Sequence, residues 1–320
     1  MKEIMFLTQS AEKWKMLEGI VSGRDRAGPD RMAELYIQLT DDLSYARTFF
    51  AGSKTHQYLN SLAAKYHQAI YRNKKEERKR IFSFWREEQP LLAIRYRKQL
   101  LCSAAIFIVS LLVGVVSSAY DEGFVRLILG SGYVKMTLEN IEKGDPLAVY
   151  KSLNSVDLFL GVTINNIRVA AAAFALGALA SVGTVYILFY NGIMLGAFHY
   201  FFYKKGLLLK SILSIWIHGT LEISAVLVSG CAGFVMGAGI LFPGTYTRGR
   251  SFAHGAREGL KILIGVIPLF IVAGFFEGFL TRHTEMPAIV NVSIIGLSAL
   301  FVIWYYFIYP AKYYSIINRG

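Results

Sequence analysis

Two ionisable side chains lie four residues apart in the apolar stretch IWIHGTLEISAVLVSG (residues 215–230): His218 and Glu222. At about 3.6 residues per turn they stack on one face of a helix. An imidazole above a carboxylate can relay a proton, contact a substrate, contribute to a metal site, or clamp two helices by hydrogen bonding. A bare charge in mid-bilayer costs about 3 kcal/mol or more, so Glu222 must be neutralised, paired or facing water. The same face continues through Ala225, Ser229, Gly233 and Gly237, all small, which turns it toward another helix and away from lipid. Glu277, in FFEGFLT, is a second carboxylate in an apolar setting, able to meet His218 across a bundle. Asn165, Asn166 and Arg168, in NNIRVA, read as a helix cap with a snorkelling arginine, or as part of one polar cluster with His218 and Glu277. Asn191 follows in LFYNGIMLGA. One His–Glu pair without a third ligand is weak ground for chemistry, so no catalytic residue, metal or other cofactor is expected. A second His-x-x-x-Glu pair, His254 and Glu258 in HGARE, has unlike neighbours and reads as a chance repeat.

The elements that must hold these groups are apolar helices. The chain has 320 residues, 54% of them hydrophobic, and the apolar runs concentrate after residue 98. Several are long enough to cross a hydrocarbon layer of about 30 Å. The expected spans begin with residues 99–120, behind the basic collar Arg95, Arg97 and Lys98, and continue with residues 165–190. NG at 191–192 then interrupts, leaving 190–206 as a short crossing or a re-entrant arm. The next stretch, roughly 211–240, is about 45 Å long as a helix and must tilt or break near Gly219. Residues 262–280 and 289–310 complete the set. Six spans with both termini in the cytoplasm fit the charge bias best. Between the first two, residues 121–166 read as an extracytoplasmic segment of amphipathic helices lying along the membrane. Gly192, Gly219, Gly233 and Gly237 are the expected close-packing positions. Small-residue faces also suit a homodimer.

Residues 1–98 read as a cytoplasmic helical domain. Trp14, Leu17 and Val21 form one stripe, closed by Gly23; Met32, Leu35, Leu39 and Leu43 form a second after Pro29; Tyr58, Leu62, Tyr66 and Ile70 form a third behind a Ser53 cap. The net charge of +12 follows from this region and the membrane collars, so nucleic acid is not an expected partner. The densest basic run, RNKKEERKR at 72–80, reads as a solvated helix face, with attraction to anionic lipid headgroups as the alternative. Cys102 and Cys231 both fall in expected spans and form no metal pattern. No secretory signal precedes the first apolar run, which should itself direct insertion. The fold class is therefore all-α: a polytopic membrane bundle with an N-terminal helical domain.

Taken in order, LYIQLTDDLSYAR, YLNSLAAKYHQAIYR, NNIRVA, LFYNGIMLGA, HGTLEISAVLVSGCAGF and EGFLT resemble the stage II sporulation protein M family over nearly the full length. The resemblance implies an integral membrane protein. It also implies a role like that of the founding member, an anchor that recruits peptidoglycan-degrading partners through the sporulation D and P proteins during engulfment. It brings no established catalytic residue, and HGARE is outside its pattern. The expected function is a multi-pass scaffold for a cell-envelope complex, with His218 and Glu222 locking the bundle. A transporter or channel using that pair is the alternative, and an intramembrane enzyme is least supported.

Overall fold

The structure is a computed structural model that describes residues 3–22, 24–25, 27–72, 82–148, 154–283 and 286–317. The basic run at 72–80 falls almost wholly outside these residues, as does Gly23. No strand occurs among the described residues. The chain forms two compact units, Met1–Phe82 and Ser83–Gly320.

The first unit has three helices, α1 (Glu3–Val21), α2 (Pro29–Phe49) and α3 (Lys54–Arg72). Their apolar stripes meet in a core of Trp14, Leu17, Leu35, Leu39, Leu59 and Tyr66. Trp14 donates its indole N–H to Asp42 at 2.8 Å, and Lys13 pairs with the same carboxylate at 2.5 Å. The Ser53 hydroxyl accepts from the His56 N–H at 3.1 Å, which caps the start of α3.

The second unit opens with α4, a wide π-type turn over Phe84–Glu88 that runs into Gln89–Arg95. The sequence reading drew the line after residue 98; the contacts draw it before α4. Trp85 donates to the Gly265 carbonyl at 3.1 Å, and Gln89, almost fully buried, donates to the Lys261 carbonyl at 2.5 Å. Tyr305 reaches back to the Trp85 carbonyl at 2.6 Å. α4 is a strap bound to two spans.

Among the described residues, six helices are long and apolar enough to cross a membrane. They are α5 (Arg97–Tyr120), α8 (Ser155–Ala175, with a tight turn to Ala178), α9 (Val182–Lys204) and α10 (Leu208–Leu241), followed by α11 (Arg248–Phe275, extended by a wide turn over Phe276–Thr281) and α12 (Ala288–Ile303, continuing through Trp304–Ile308 to Tyr309–Ile317). Between α5 and α8 lie the short helices α6 (Glu122–Leu129) and α7 (Ser131–Glu142). The protein is an all-α, multi-pass membrane protein.

The spans do not begin and end where hydropathy suggested. Residues 165–190 are not one crossing. α8 ends at Ala178, the chain turns through Ala180 and Ser181 at φ +50° and +69°, and α9 begins at Val182. This hairpin hides inside an apolar run because neither positive-φ residue is a glycine. Thr184 fastens it by donating to the Ala173 carbonyl at 2.7 Å. Ser155–Asn165, assigned to the surface segment, is the first half of α8, capped by Asn154 accepting from the Val156 N–H at 3.2 Å. Asn191 and Gly192 do not interrupt anything: 190–206 is the second half of a continuous α9 and the turn after it. α10 likewise runs unbroken through Gly219.

α10 is the hub. At about 1.5 Å per residue its 34 residues reach about 50 Å, and it packs against each of the other five spans. Small residues allow this. A Cβ at Gly233 would collide with the Ala173 carbonyl and the Thr184 side chain, one at Gly177 with the Gly233 backbone, and one at Gly192 with Phe107 and Ser110 of α5. Gly237 sits equally close to Ser181. Ser103 adds a hydrogen bond from α5 to the Leu227 carbonyl at 2.7 Å. Gly219 differs from the other three expected packing glycines. Its nearest neighbours are side chains of its own helix at 3.9 and 4.0 Å, so it opens onto space.

Candidate functional site

That space is a cavity of about 520 Å³ among α8, α9, α10 and the end of α11, with α6 and α7 at its edge. Its walls are chiefly apolar, including Ile128, Tyr133, Met194, Phe198 and Ile223; its polar groups are Asn165, Asn166, His218, Glu222 and Glu277. Helical periodicity supplies His218 and Glu222 from one face of α10. The rest depends on the bundle, since Glu277 comes from the far end of α11 and Asn166 from the middle of α8.

His218 Nε2 lies 3.8 Å from Glu277 Oε2, with both side chains nearly enclosed. On the other side of the ring, Nδ1 is 2.9 Å from the Thr281 hydroxyl. Thr281 donates its one proton to the Phe276 carbonyl at 3.2 Å, five residues back in the wide turn. With its proton on that carbonyl, Thr281 can accept from Nδ1–H, and Nε2 is the ring nitrogen on the carboxylate side. His218, Glu222 and Glu277 each present a ligand atom within 4.8 Å of the others. The Asn166 amide approaches Glu222 without completing a hydrogen bond, and its buried Nδ2 has no hydrogen-bond partner.

The other expected members are elsewhere. Asn165 is exposed and reaches only the cavity wall; Arg168 is exposed and lines no part of it. Asn191 donates to the Ile187 carbonyl of its own helix at 2.8 Å. The look-alike pair separates cleanly: His254 is exposed, whereas Glu258 is held by Arg95 at 3.0 Å and Lys261 at 3.6 Å.

Two groups escaped sequence reasoning. Thr281 looked like an ordinary residue near a helix end, and only its four-residue spacing from Glu277 hinted at a shared face. His199 is the other. Its Nε2 accepts from the Trp216 N–H at 3.0 Å while Nδ1 bonds the Leu195 carbonyl at 2.8 Å, joining α9 to α10. Outside the spans, burial pushes the Tyr133 phenol up from its ordinary range.

Comparison with known proteins locates this arrangement within a family. Residues 5–72 match a domain of unknown function, DUF8413. A relative described as an uncharacterized protein of Methanocaldococcus jannaschii is 27% identical over 196 residues, covering 59% of this chain and 83% of the relative. No solved structure matches the chain. Residues 103–282 match the family described as Stage II sporulation protein M, a stretch that covers more than half the chain and contains Asn166, His218, Glu222, Glu277 and Thr281. The chain belongs to the Stage II sporulation protein M family.

Proposed function

We propose that this protein is a non-enzymatic scaffold in the cytoplasmic membrane that anchors a cell-envelope complex of the peptidoglycan-remodelling kind. In this reading both termini face the cytoplasm, as the collar Arg95, Arg97 and Lys98 before the first span favours. The helical unit Met1–Phe82 offers a docking surface on that side and the α6–α7 segment offers one on the other. A second copy of the chain is a further partner, suited to the lipid-facing apolar side of α12.

The observation that carries the reading is the hub helix. α10 is continuous and is fastened to its neighbours at backbone distance through Gly233 and Gly237. A moving transport helix usually needs a break or a loose interface; the interruption expected at Asn191–Gly192 is absent from α9, and α10 runs unbroken through Gly219, where tilt or break were the alternatives. The cavity with its paired carboxylates keeps a transporter or channel as the second reading.

Reconstitution separates the two. The full chain in liposomes should pass neither ions nor small solutes, while affinity purification from native membranes in mild detergent should recover envelope-remodelling proteins. Flux that disappears in His218→Ala and Glu222→Gln, with partner recovery unchanged, overturns the scaffold reading.

A further inference from the structure

We propose that His218, Glu222 and Glu277 bind one first-row divalent cation, of the zinc or manganese class, with a coordination position open to the cavity. This goes beyond the scaffold reading and does not depend on it.

The first argument is the placement of the ring. Thr281 holds the Nδ1 side of the imidazole at 2.9 Å, which turns Nε2 toward Glu277 at 3.8 Å, a spacing that a cation between the two would bridge. A metal-bound histidine commonly gives its other N–H to an oxygen acceptor that holds the ring in place, as Thr281 does here.

The second is charge. Two carboxylates meet inside the membrane, and among the described residues no lysine or arginine lines their cavity. A divalent ion makes the cluster neutral, which removes most of the penalty for holding two anions there.

The third is the donor set. One imidazole nitrogen with carboxylate oxygens suits zinc, manganese or iron better than calcium or magnesium, which prefer oxygen alone. Ligands about 2.0–2.2 Å from a tetrahedral ion are about 3.3 Å apart. The three atoms, now within 4.8 Å, close on an ion when the glutamates rotate by about an ångström. The fourth observation comes from a different helix. Asn166 is buried, borders the cavity, and has an amide nitrogen without a partner. A half-turn of that amide presents Oδ1 as a further ligand or as a hydrogen-bond acceptor for a metal-bound water.

The test uses the full chain, purified in detergent through a histidine-free tag. After chelator treatment, Zn²⁺, Mn²⁺, Mg²⁺ and Ca²⁺ are titrated by calorimetry, and Co²⁺ is followed by its visible absorption. About one Zn²⁺ or Mn²⁺ per chain is expected, with weaker Mg²⁺ and Ca²⁺ binding. His218→Ala, Glu222→Gln and Glu277→Gln should each weaken it at least 100-fold, and Thr281→Val about 10- to 100-fold. Should a triad variant not fold, the Co²⁺ spectrum of the wild type must still report nitrogen and oxygen ligands at a low-coordinate site. No stoichiometric binding by the wild type overturns the proposal, as does binding that folded triad variants retain. A protonated-carboxyl infrared band lost in Glu277→Gln, with no metal bound, would put a proton where we place the cation.

Discussion

Gly177 and Gly233 meet backbone to backbone: a Cβ on Gly177 would collide with the Gly233 carbonyl oxygen. This contact sits beside the hairpin between α8 and α9 and seats both helices against α10. Everything on the cavity side of that crossing inherits its register.

Gly233→Leu should therefore be among the most damaging single changes. The Ala173 carbonyl is backbone and cannot rotate away, so strain of about 1–3 kcal/mol or more is expected. Gly219→Ala is the control, because its Cβ would touch only Ile215 and Ile223 at ordinary distance. It should leave stability unchanged, or raise it by up to about 1 kcal/mol through helix propensity. Thermal midpoints in detergent check both.

Gln89→Ala tests the strap. It removes the donor to the Lys261 carbonyl and leaves a hole beside Gly265. A loss of about 1–3 kcal/mol is expected. Hydrogen exchange should show faster opening of 84–95 while 3–72 is unaffected. Equal loosening in both regions would count against α4 belonging to the membrane unit.

Leu39→Ala should act in the opposite place. Leu39 is fully buried in the three-helix core, and its truncation should cost about 2–5 kcal/mol. Exchange should accelerate across 3–72, with the spans unchanged.

Alkaline pH should weaken the same unit through Tyr58. Burial first, then the Glu18 charge and a hydrogen bond at 3.1 Å, push its phenol up to about 12 from 10.0. The unfolded chain releases that proton near pH 10 and the folded chain near 12. The contribution is thus complete below pH 10 and lost as pH rises toward 12. Melting followed by circular dichroism should fall more steeply between pH 9 and 11.5 in the wild type than in Tyr58→Phe. Identical slopes would remove Tyr58 from the account.

Composition and periodicity determined the class of this molecule. Long apolar runs can lie in a bilayer only as helices, because no water is there to satisfy the backbone, and stripes such as Met32, Leu35, Leu39 and Leu43 marked the polar helices. The same physics made His218 and Glu222 neighbours, since four residues are about one turn. Where the chain reverses was decided by tertiary packing. The turn at Ala180 and Ser181 carries no glycine or proline, and it is held by Thr184 reaching Ala173 and by Gly177 lying on Gly233. Moving that turn drew Asn166 from a helix start into mid-span and sent Arg168 outward. The cavity is equally a product of the bundle. Glu277 lies 55 positions after Glu222 in the chain, and periodicity within one helix says nothing about which face of another it meets. The crossing of α10 with α11 decides that, because Gly255 and Gly259 bring the two backbones together there, against Val235 and Ala232.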